Sequence, residues 1–162
     1  METSVNLKAK LPLQELPERE MRELLHQHYV GSLAYISQHH PFVIPVTFFY
    51  DEPGNCLIAY SMEGHKIEAM RANPEVSLMI YQLDNLTRWK SVMIQGRFEE
   101  LHQIDAKAYL HRFTEGIRKH IAPNNARAKV FIEDFSSSLN SEGTPLVYRI
   151  NIDGWSGRTR VA

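Results

Sequence analysis

Alternating hydrophobic and polar positions predict that much of the chain forms β-strands joined by short turns. Two early runs, at residues 30–37 and 42–51, are rich in β-branched and aromatic residues, and a short polar turn separates them. We therefore expect these two runs to form a hairpin. Further runs with strand character lie at residues 56–62, 76–83, 89–101 and 146–152.

The run at residues 42–51 differs from an ordinary half-buried strand because both of its alternating faces are apolar. This pattern predicts a strand that is covered on both sides. Pro45 has no backbone N–H group, so we expect the strand to lie at a sheet edge or to be irregular there. Neighbouring backbone groups are then free for another partner or for water.

Three segments with apolar residues at helical spacing accompany the strands. The first carries the stripe Met21, Leu24, Leu25 and His28. The second is short and follows Ser61, its expected N-cap. The third carries the stripe Ala106, Leu110, Phe113, Ile117 and Ile121. A polar loop is expected at residues 136–143, and the tail at residues 155–160 is left unassigned.

About six strands with few intervening helices indicate a mainly β fold, an antiparallel barrel with flanking helices rather than a doubly wound sheet. The sequence contains no internal repeat and no linker long enough to divide it. We therefore expect residues 1–162 to form a single domain. A chain of 162 residues is long enough to bury a core without disulfides or metals.

Composition and charge narrow the class of protein further. Hydrophobic content of 43% and charged content of 23% are typical of a soluble globular protein. A net charge of -1 gives no global field that attracts nucleic acid or an anionic membrane. Neither a signal peptide nor a run of about 20 apolar residues is present, so the expected location is the cytoplasm. The single Cys56 is expected to be a small buried hydrophobe.

One short segment combines residues that suit a phosphate group. Ser61, His65 and Lys66 place a hydroxyl, an imidazole and an ammonium within about one turn of an expected helix N-terminus. Free backbone amides at such a terminus bind anions. The alternative is an ordinary capped surface helix with a solvated lysine, and these residues alone do not decide between the two.

Other chemistries find little support in the sequence. It contains neither glycine-rich nucleotide motif, GxGxxG or GxxxxGK[ST], and no GxSxG nucleophile motif. His102, His111 and His120 are nine residues apart, so successive members point to opposite sides of a helix and do not converge on a metal. We expect no metal site, and no catalytic residue is assigned.

Four blocks, taken together, resemble the pyridoxamine 5'-phosphate oxidase-like FMN-binding split-barrel family. They are GSLA at 31–34, PFVIPV at 41–46, the segment 60–81, and WKSVMIQG at 89–96. Within the family, the chain is most similar to the nitroimidazole-resistance-protein-type branch. The resemblance covers roughly residues 28–101 and implies a six-stranded antiparallel split β-barrel of the flavin reductase/FMN-binding type. It also implies a homodimer with FMN in clefts between the subunits.

The resemblance implies roles for individual residues at such a flavin site. The flavin ring would lie along Ile44, Pro45, Val46 and Thr47. The phosphate would be held by Ser61, His65 and Lys66, after Tyr60, which stands where some relatives have a histidine. The facing strand would contribute Lys90 and Ser91. The tail would contribute Trp155 and Arg158, with Arg160 as an alternative to Arg158.

The function that these implications favour is an FMN-dependent oxidoreductase acting on a small molecule, with NAD(P)H as a possible electron donor. The alternative is a non-catalytic protein that binds FMN, a related flavin or haem for storage or sensing. A third reading is an interaction module that has lost its cofactor. The tail does not match the substrate signature of authentic pyridoxamine phosphate oxidases, so vitamin B6 oxidation is not expected.

Overall fold

The computed structural model describes residues 12–120 and 146–161, and these residues form eight strands and three helices. The strands are β1 Gln14–Glu15, β2 Val30–Ser37, β3 His40–Thr47, β4 Phe49–Asp51, β5 Cys56–Ser61, β6 Glu75–Asn85, β7 Arg88–Leu101 and β8 Leu146–Arg160. The helices are α1 Glu18–Gln27, α2 His65–Ala72 and α3 Gln103–Arg118.

The strands form one antiparallel sheet in the order β3-β2-β6-β7-β8-β5-β4, with β1 added beside β8. The two ends of this path, β3 and β4, are not joined by strand pairing, so the sheet forms a split barrel. Eight strands replace the expected six because β1 adds a two-residue strand and the run 42–51 divides into β3 and β4. The division falls at Phe48, which is buried and donates its backbone N–H to the carbonyl of Tyr29 at 2.8 Å.

The predicted hairpin is confirmed, since β2 pairs with β3 from Val30 opposite Thr47 to Ser37 opposite His40. Gln38 and His39 both have positive φ, 50° and 66°, as a tight two-residue hairpin turn requires. The prediction that Pro45 lies in an edge strand is also confirmed. The prediction that this strand is covered on both faces is wrong for the described part of the single chain, because Val43 is 67% exposed and no described element lies over it.

β8 is longer than expected and includes the tail that the sequence left unassigned. An irregularity where Gln95 and Gly96 of β7 face Gly154 and Ile152 leaves Asp153 as an extra residue. The extra residue exchanges the two faces of β8, so even-numbered residues face the core before it and odd-numbered residues after it. Because the alternation of apolar and polar positions changes phase at residue 153, the sequence predicted a strand that ends at residue 152.

The inner face of the sheet encloses the main core, which α1 closes with Met21, Leu24 and Leu25. On the outer face, α3 covers β5 and the adjoining ends of β7 and β8. Gly116 lets α3 approach the sheet closely, because a Cβ atom there would overlap the ring of Phe49. The expected positions Ile121 and 136–143 lie outside the described residues. Among the described helices, none is long and apolar enough to cross a membrane.

Candidate functional site

The connection from β5 to α2 places a free helix N-terminus at the open side of the barrel. β5 ends at Ser61 and α2 begins at His65, with Gly64 preceding it and no side chain capping the helix. The prediction that Ser61 is the N-cap is wrong, because Ser61 still pairs with Leu146 of β8. Its hydroxyl donates to the carbonyl of Met62 at 2.8 Å. The first backbone amides of α2 therefore have no partner from a capping side chain, and they carry the positive end of the helix dipole.

Lys66, in the first turn of α2, is half-buried, and its ammonium has no hydrogen bond or ion pair among the described residues. Burial lowers the pKa of this ammonium below that of an ordinary lysine. The nearby carboxylate of Glu63 does not compensate it, because Arg71 binds both oxygens of Glu63 at 3.0 and 2.8 Å. A half-buried cation without an acceptor beside a helix N-terminus is suited to an anion.

His65 is held in a fixed orientation by two residues of the β2–β3 hairpin. Its Nδ1 is 2.9 Å from the hydroxyl of Tyr35, a residue buried in the core. The ring of Phe42 meets the imidazole edge-on, with ring centroids 4.9 Å apart. Because Nδ1 is engaged, Nε2 is the nitrogen that remains for a ligand.

The same contacts bring the edge strand β3 next to the start of α2. On β3, Ile44 and Val46 face the core, whereas Pro45 and Thr47 face outward and are exposed. β3 also approaches β5 without pairing with it. The structure thus brings Ser61, His65 and Lys66 together with one face of β3. Because β3 is an edge strand of the described sheet, backbone groups on its free side have no ladder partner among residues 12–120 and 146–161.

The other predicted site residues do not join this corner within one chain. Tyr60 lies on the face of β5 opposite to Ser61, where its ring packs against Phe113 of α3, with centroids 5.1 Å apart. Burial there raises the pKa of the Tyr60 hydroxyl. On β7, Lys90 faces inward and binds Glu20 of α1 at 3.1 Å, whereas Ser91 faces outward.

The tail residues are likewise divided between the two faces of β8. Trp155 packs against the core, and the guanidinium of Arg22 lies 4.7 Å above its ring. Arg158 faces outward and lies 3.5 Å from Glu15. Arg160 shares the face of Arg158 and lies opposite Trp89. The roles of these residues at a flavin stay predictions, and one chain alone does not bring them to α2.

Sequence reasoning missed three residues that shape the corner. Tyr35 orients His65, and Phe42 packs against the imidazole. Arg71 forms an ion pair with the carboxylate of Glu63, which therefore does not pair with Lys66. The signal for Tyr35 and Phe42 was present, because the hairpin register places them opposite each other on the apolar face. No pattern in the sequence predicts the role of Arg71, because its ion pair with Glu100 of β7 forms only in the folded chain. No group of three or more potential metal ligands converges anywhere in the described parts of the chain.

Fold and site together define an antiparallel split β-barrel with an uncapped helix N-terminus, beside a half-buried lysine, at its open side. The chain belongs to the pyridoxamine 5'-phosphate oxidase family, whose model matches residues 17–159. The predicted resemblance to this family is confirmed.

The chain is also similar to individual proteins. An uncharacterised protein of Rhizobium meliloti (strain 1021) is 44% identical over 72 residues, which cover 44% of this chain and 46% of the relative. The match therefore spans less than half the length of that curated relative. A FAD-binding protein from Mesorhizobium loti is 30% identical, with a TM-score of 0.73 and coverage of 93% of this chain and 98% of that one.

A candidate 5-nitroimidazole antibiotic resistance protein from Bacteroides thetaiotaomicron has the same fold, with a TM-score of 0.65. It is 15% identical, and the match covers 91% of this chain and 89% of that chain. At this identity the likeness concerns the fold.

Proposed function

We propose that this protein binds FMN and acts as a flavin-dependent oxidoreductase on a small molecule. The observation that carries the proposal is the half-buried ammonium of Lys66, which has no acceptor among the described residues and lies at the uncapped N-terminus of α2. A phosphate monoester supplies the anionic oxygens that this corner lacks. The FAD-binding relative from Mesorhizobium loti supports a flavin as the source of the phosphate.

The phosphate is bound by groups that already converge. The amides at the start of α2 donate to it, Lys66 adds charge, and Nε2 of His65 donates while Nδ1 stays with Tyr35. The Ser61 hydroxyl joins them by turning away from the Met62 carbonyl. Charge-assisted hydrogen bonds of this kind contribute about 1.5–3 kcal/mol each.

The ring of the flavin is placed along the free edge of β3. Ile44, Pro45 and Val46 present apolar side chains there, backbone groups on this edge have no partner among the described strands, and Pro45 has no N–H to donate. When bound, the flavin supplies hydride or single-electron chemistry. The protein positions the ring and limits the access of water on the core side, where Ile44 and Val46 lie.

A second copy of the chain completes the site in this proposal. The outer face of β2, β3, β6 and the adjoining part of β7 is apolar and is not covered by any residue that the structure describes, with Tyr81 59% exposed, Met79 41% and Met93 40%. Apolar sheet faces of this kind are buried in stable dimers. Ser91 and Arg158 point from the same face, so a homodimer offers them a route to the flavin of the partner.

The first experiment is the visible spectrum of the purified protein, followed by denaturation and chromatography of any released ligand. We expect a flavin spectrum and the release of FMN. Release of FAD keeps the flavin site but corrects the cofactor, and a haem spectrum contradicts the proposal. A colourless protein that fails to take up added FMN also contradicts it.

Anaerobic mixing with NADH or NADPH separates an oxidoreductase from a flavin-storage or flavin-sensing protein. We expect the flavin absorbance to bleach within seconds with one of the two donors. A bound flavin that neither donor reduces, and that dithionite does reduce, favours storage or sensing instead.

A further inference from the structure

Arg71, in the last turn of α2, binds two carboxylates from separate parts of the chain. Its Nη1 and Nη2 atoms donate to the two oxygens of Glu63 at 3.0 and 2.8 Å. Its Nε and Nη2 atoms donate to the two oxygens of Glu100 on β7, both at 2.8 Å. Because helical side chains lean toward the N-terminus of their helix, Arg71 reaches back to the connection that precedes α2. One guanidinium therefore joins α2, this connection and β7.

Glu100 is the fixed end of this arrangement. Its side chain is 14% exposed, whereas the side chains of Arg71 and Glu63 are 39% and 61% exposed. Its backbone lies in the ladder between β7 and β8, opposite Tyr148. The hydrogen bonds from Arg71 lower the pKa of the Glu100 carboxyl, so this carboxylate is charged at neutral pH. The sheet thus holds the guanidinium in place, and the guanidinium holds Glu63.

Glu63 is the acidic residue best placed to interfere with Lys66. It lies three residues before Lys66, whose ammonium has no acceptor among the described residues. Glu68 lies two residues after Lys66, so it points to a different side of the helix, where it lines the groove between α2 and the β2–β3 turn. A free Glu63 carboxylate would therefore pair with the Lys66 ammonium and repel an anion that approaches it.

The phosphate corner consists of Ser61, His65, Lys66 and the first backbone amides of α2. We propose that Arg71 is a positioning residue of this corner, which acts by holding the Glu63 carboxylate away from Lys66. With Glu63 bound to Arg71, the Lys66 ammonium stays available to a phosphate oxygen. Without Arg71, Glu63 takes the place of the phosphate as the partner of Lys66. This role rests on the proposed flavin site where FMN affinity is measured, and its effect on Lys66 itself requires no flavin.

The first test is a double-mutant cycle on Arg71 and Glu63, read by fluorescence titration of the flavin-free protein with FMN. Arg71→Met should weaken FMN binding about fivefold, because it frees Glu63 to pair with Lys66. Arg71→Met combined with Glu63→Gln should restore the affinity to within about twofold of the wild type, because an amide forms no ion pair with the ammonium. Glu63→Gln alone should change the affinity by less than about twofold, since Arg71 already holds this carboxylate.

Arg149 provides the matched control, because it forms an ion pair of the same kind away from the phosphate corner. It binds both oxygens of Glu99 at 2.8 and 3.1 Å, and it contacts the ring of Tyr109 on α3. Arg149→Met should lower the thermal midpoint of unfolding, as Arg71→Met should, but it should leave FMN affinity unchanged. A loss of affinity that merely follows a loss of stability would appear in both variants.

The second test is the pKa of Lys66 in the flavin-free protein, measured by NMR of the lysine side-chain amines. The signal that is absent from Lys66→Arg identifies the residue. In the wild type, burial lowers this pKa below that of an ordinary lysine. The pKa should rise in Arg71→Met, because a neighbouring carboxylate favours the charged ammonium, and it should return to the wild-type value when Glu63→Gln is added. If the wild type takes up no FMN, the proposed function fails, and this pKa still decides the role of Arg71.

The role of Arg71 is overturned if the pKa of Lys66 is the same in Arg71→Met as in the wild type. It is also overturned if adding Glu63→Gln restores neither the pKa nor the affinity, or if Arg149→Met weakens FMN binding as much as Arg71→Met does. A loss in Glu63→Gln alone that equals the loss in Arg71→Met would show that the ion pair itself shapes the connection, which contradicts the proposal. Should Arg71→Met fail to fold, Arg71→Lys replaces it with the same expected losses and rescue, because a lysine does not bind both oxygens of two carboxylates.

Discussion

The outer face of the sheet has two halves that differ in how the chain covers them. Over β5 and the adjoining ends of β7 and β8, α3 buries an apolar cluster that includes Ile58, Phe113 and Val147. Polar groups on this half are paired as well, since Arg149 binds both oxygens of Glu99 at 2.8 and 3.1 Å. Over β2, β3 and β6, no described element covers the apolar side chains.

One half of the outer face is buried within the chain, and the other half is left exposed for a partner to cover. The α3 half also contains Cys56, where burial and the neighbouring Asp51 raise the pKa of the thiol to about 11. A thiol with such a pKa is inert at neutral pH, which fits a structural role. Lys66, whose half-buried ammonium has no partner among the described residues, lies outside this half. Both the bare apolar face and this cation therefore lie away from α3.

The largest expected effect concerns the stability of the covered half. Phe113→Ala removes a buried ring from the α3 cluster and should lower the free energy of unfolding by about 3–5 kcal/mol. Chemical denaturation measures this change. Met93→Ala on the bare half is the matched control, and in the monomer it should change the stability by less than about 0.5 kcal/mol. An equal loss of unfolding free energy in the two variants would contradict the division of the outer face into a covered and a bare half.

The next effect concerns dimerisation through the bare half. Tyr81→Glu places an unpaired carboxylate in the proposed apolar interface, and its desolvation costs several kcal/mol of association free energy. Sedimentation should show a monomer with an unchanged circular dichroism spectrum. Ile104→Glu, at a solvent-exposed apolar position on α3, should leave the dimer intact. A dimer that survives Tyr81→Glu excludes this face as the interface.

The affinity for FMN should depend on pH through Lys66. Because burial lowers its folded-state pKa below the ordinary 10.5, Lys66 loses its proton at a lower pH than exposed lysines do. Flavin affinity should therefore fall by about 1.5–3 kcal/mol as the pH rises through that lowered pKa. The stability of the flavin-free protein should rise over the same range, since the unfolded chain binds the proton more tightly. A flavin affinity that stays constant between pH 7 and 10.5 would contradict this role.

The smallest expected effect concerns the orientation of His65. Tyr35→Phe keeps the ring that stacks on Phe42 at 5.4 Å but removes the hydroxyl bonded to Nδ1. FMN affinity should fall by about 0.5–1.5 kcal/mol, and nitrogen NMR should report a changed tautomer of His65. Tyr29→Phe, at an exposed position, should alter neither. An unchanged tautomer in Tyr35→Phe would remove Tyr35 from the site.

Much of the fold could be predicted because its strands follow a local pattern. The β2–β3 hairpin, the edge position of Pro45 and the burial of Val92, Ile94 and Phe98 all follow from alternation along the chain. The break at Phe48 and the continuation of β8 beyond Asp153 did not follow. Both depend on irregular strand geometry, which changes the faces without changing the composition.

The candidate site could be predicted only where its residues are contiguous. Ser61, His65 and Lys66 lie within six positions, so their chemistry is visible in one segment. The hydrogen bond between Tyr35 and His65 and the ion pair between Arg71 and Glu63 depend on how the chain folds, not on one segment. The sequence predicted that both faces of the run at residues 42–51 are apolar. It did not predict which of the two faces stays uncovered, because alternation along a strand does not show where the helices pack.

The most direct test of the central claim is a fluorescence titration of flavin-free protein with FMN. The wild-type chain should bind one FMN, and Lys66→Ala should lose about 1.5–3 kcal/mol of binding free energy. Lys107→Ala, which removes an exposed lysine on α3, should bind like the wild type. The account is contradicted if the wild-type chain takes up no FMN, or if Lys66→Ala binds FMN as tightly as the wild type does.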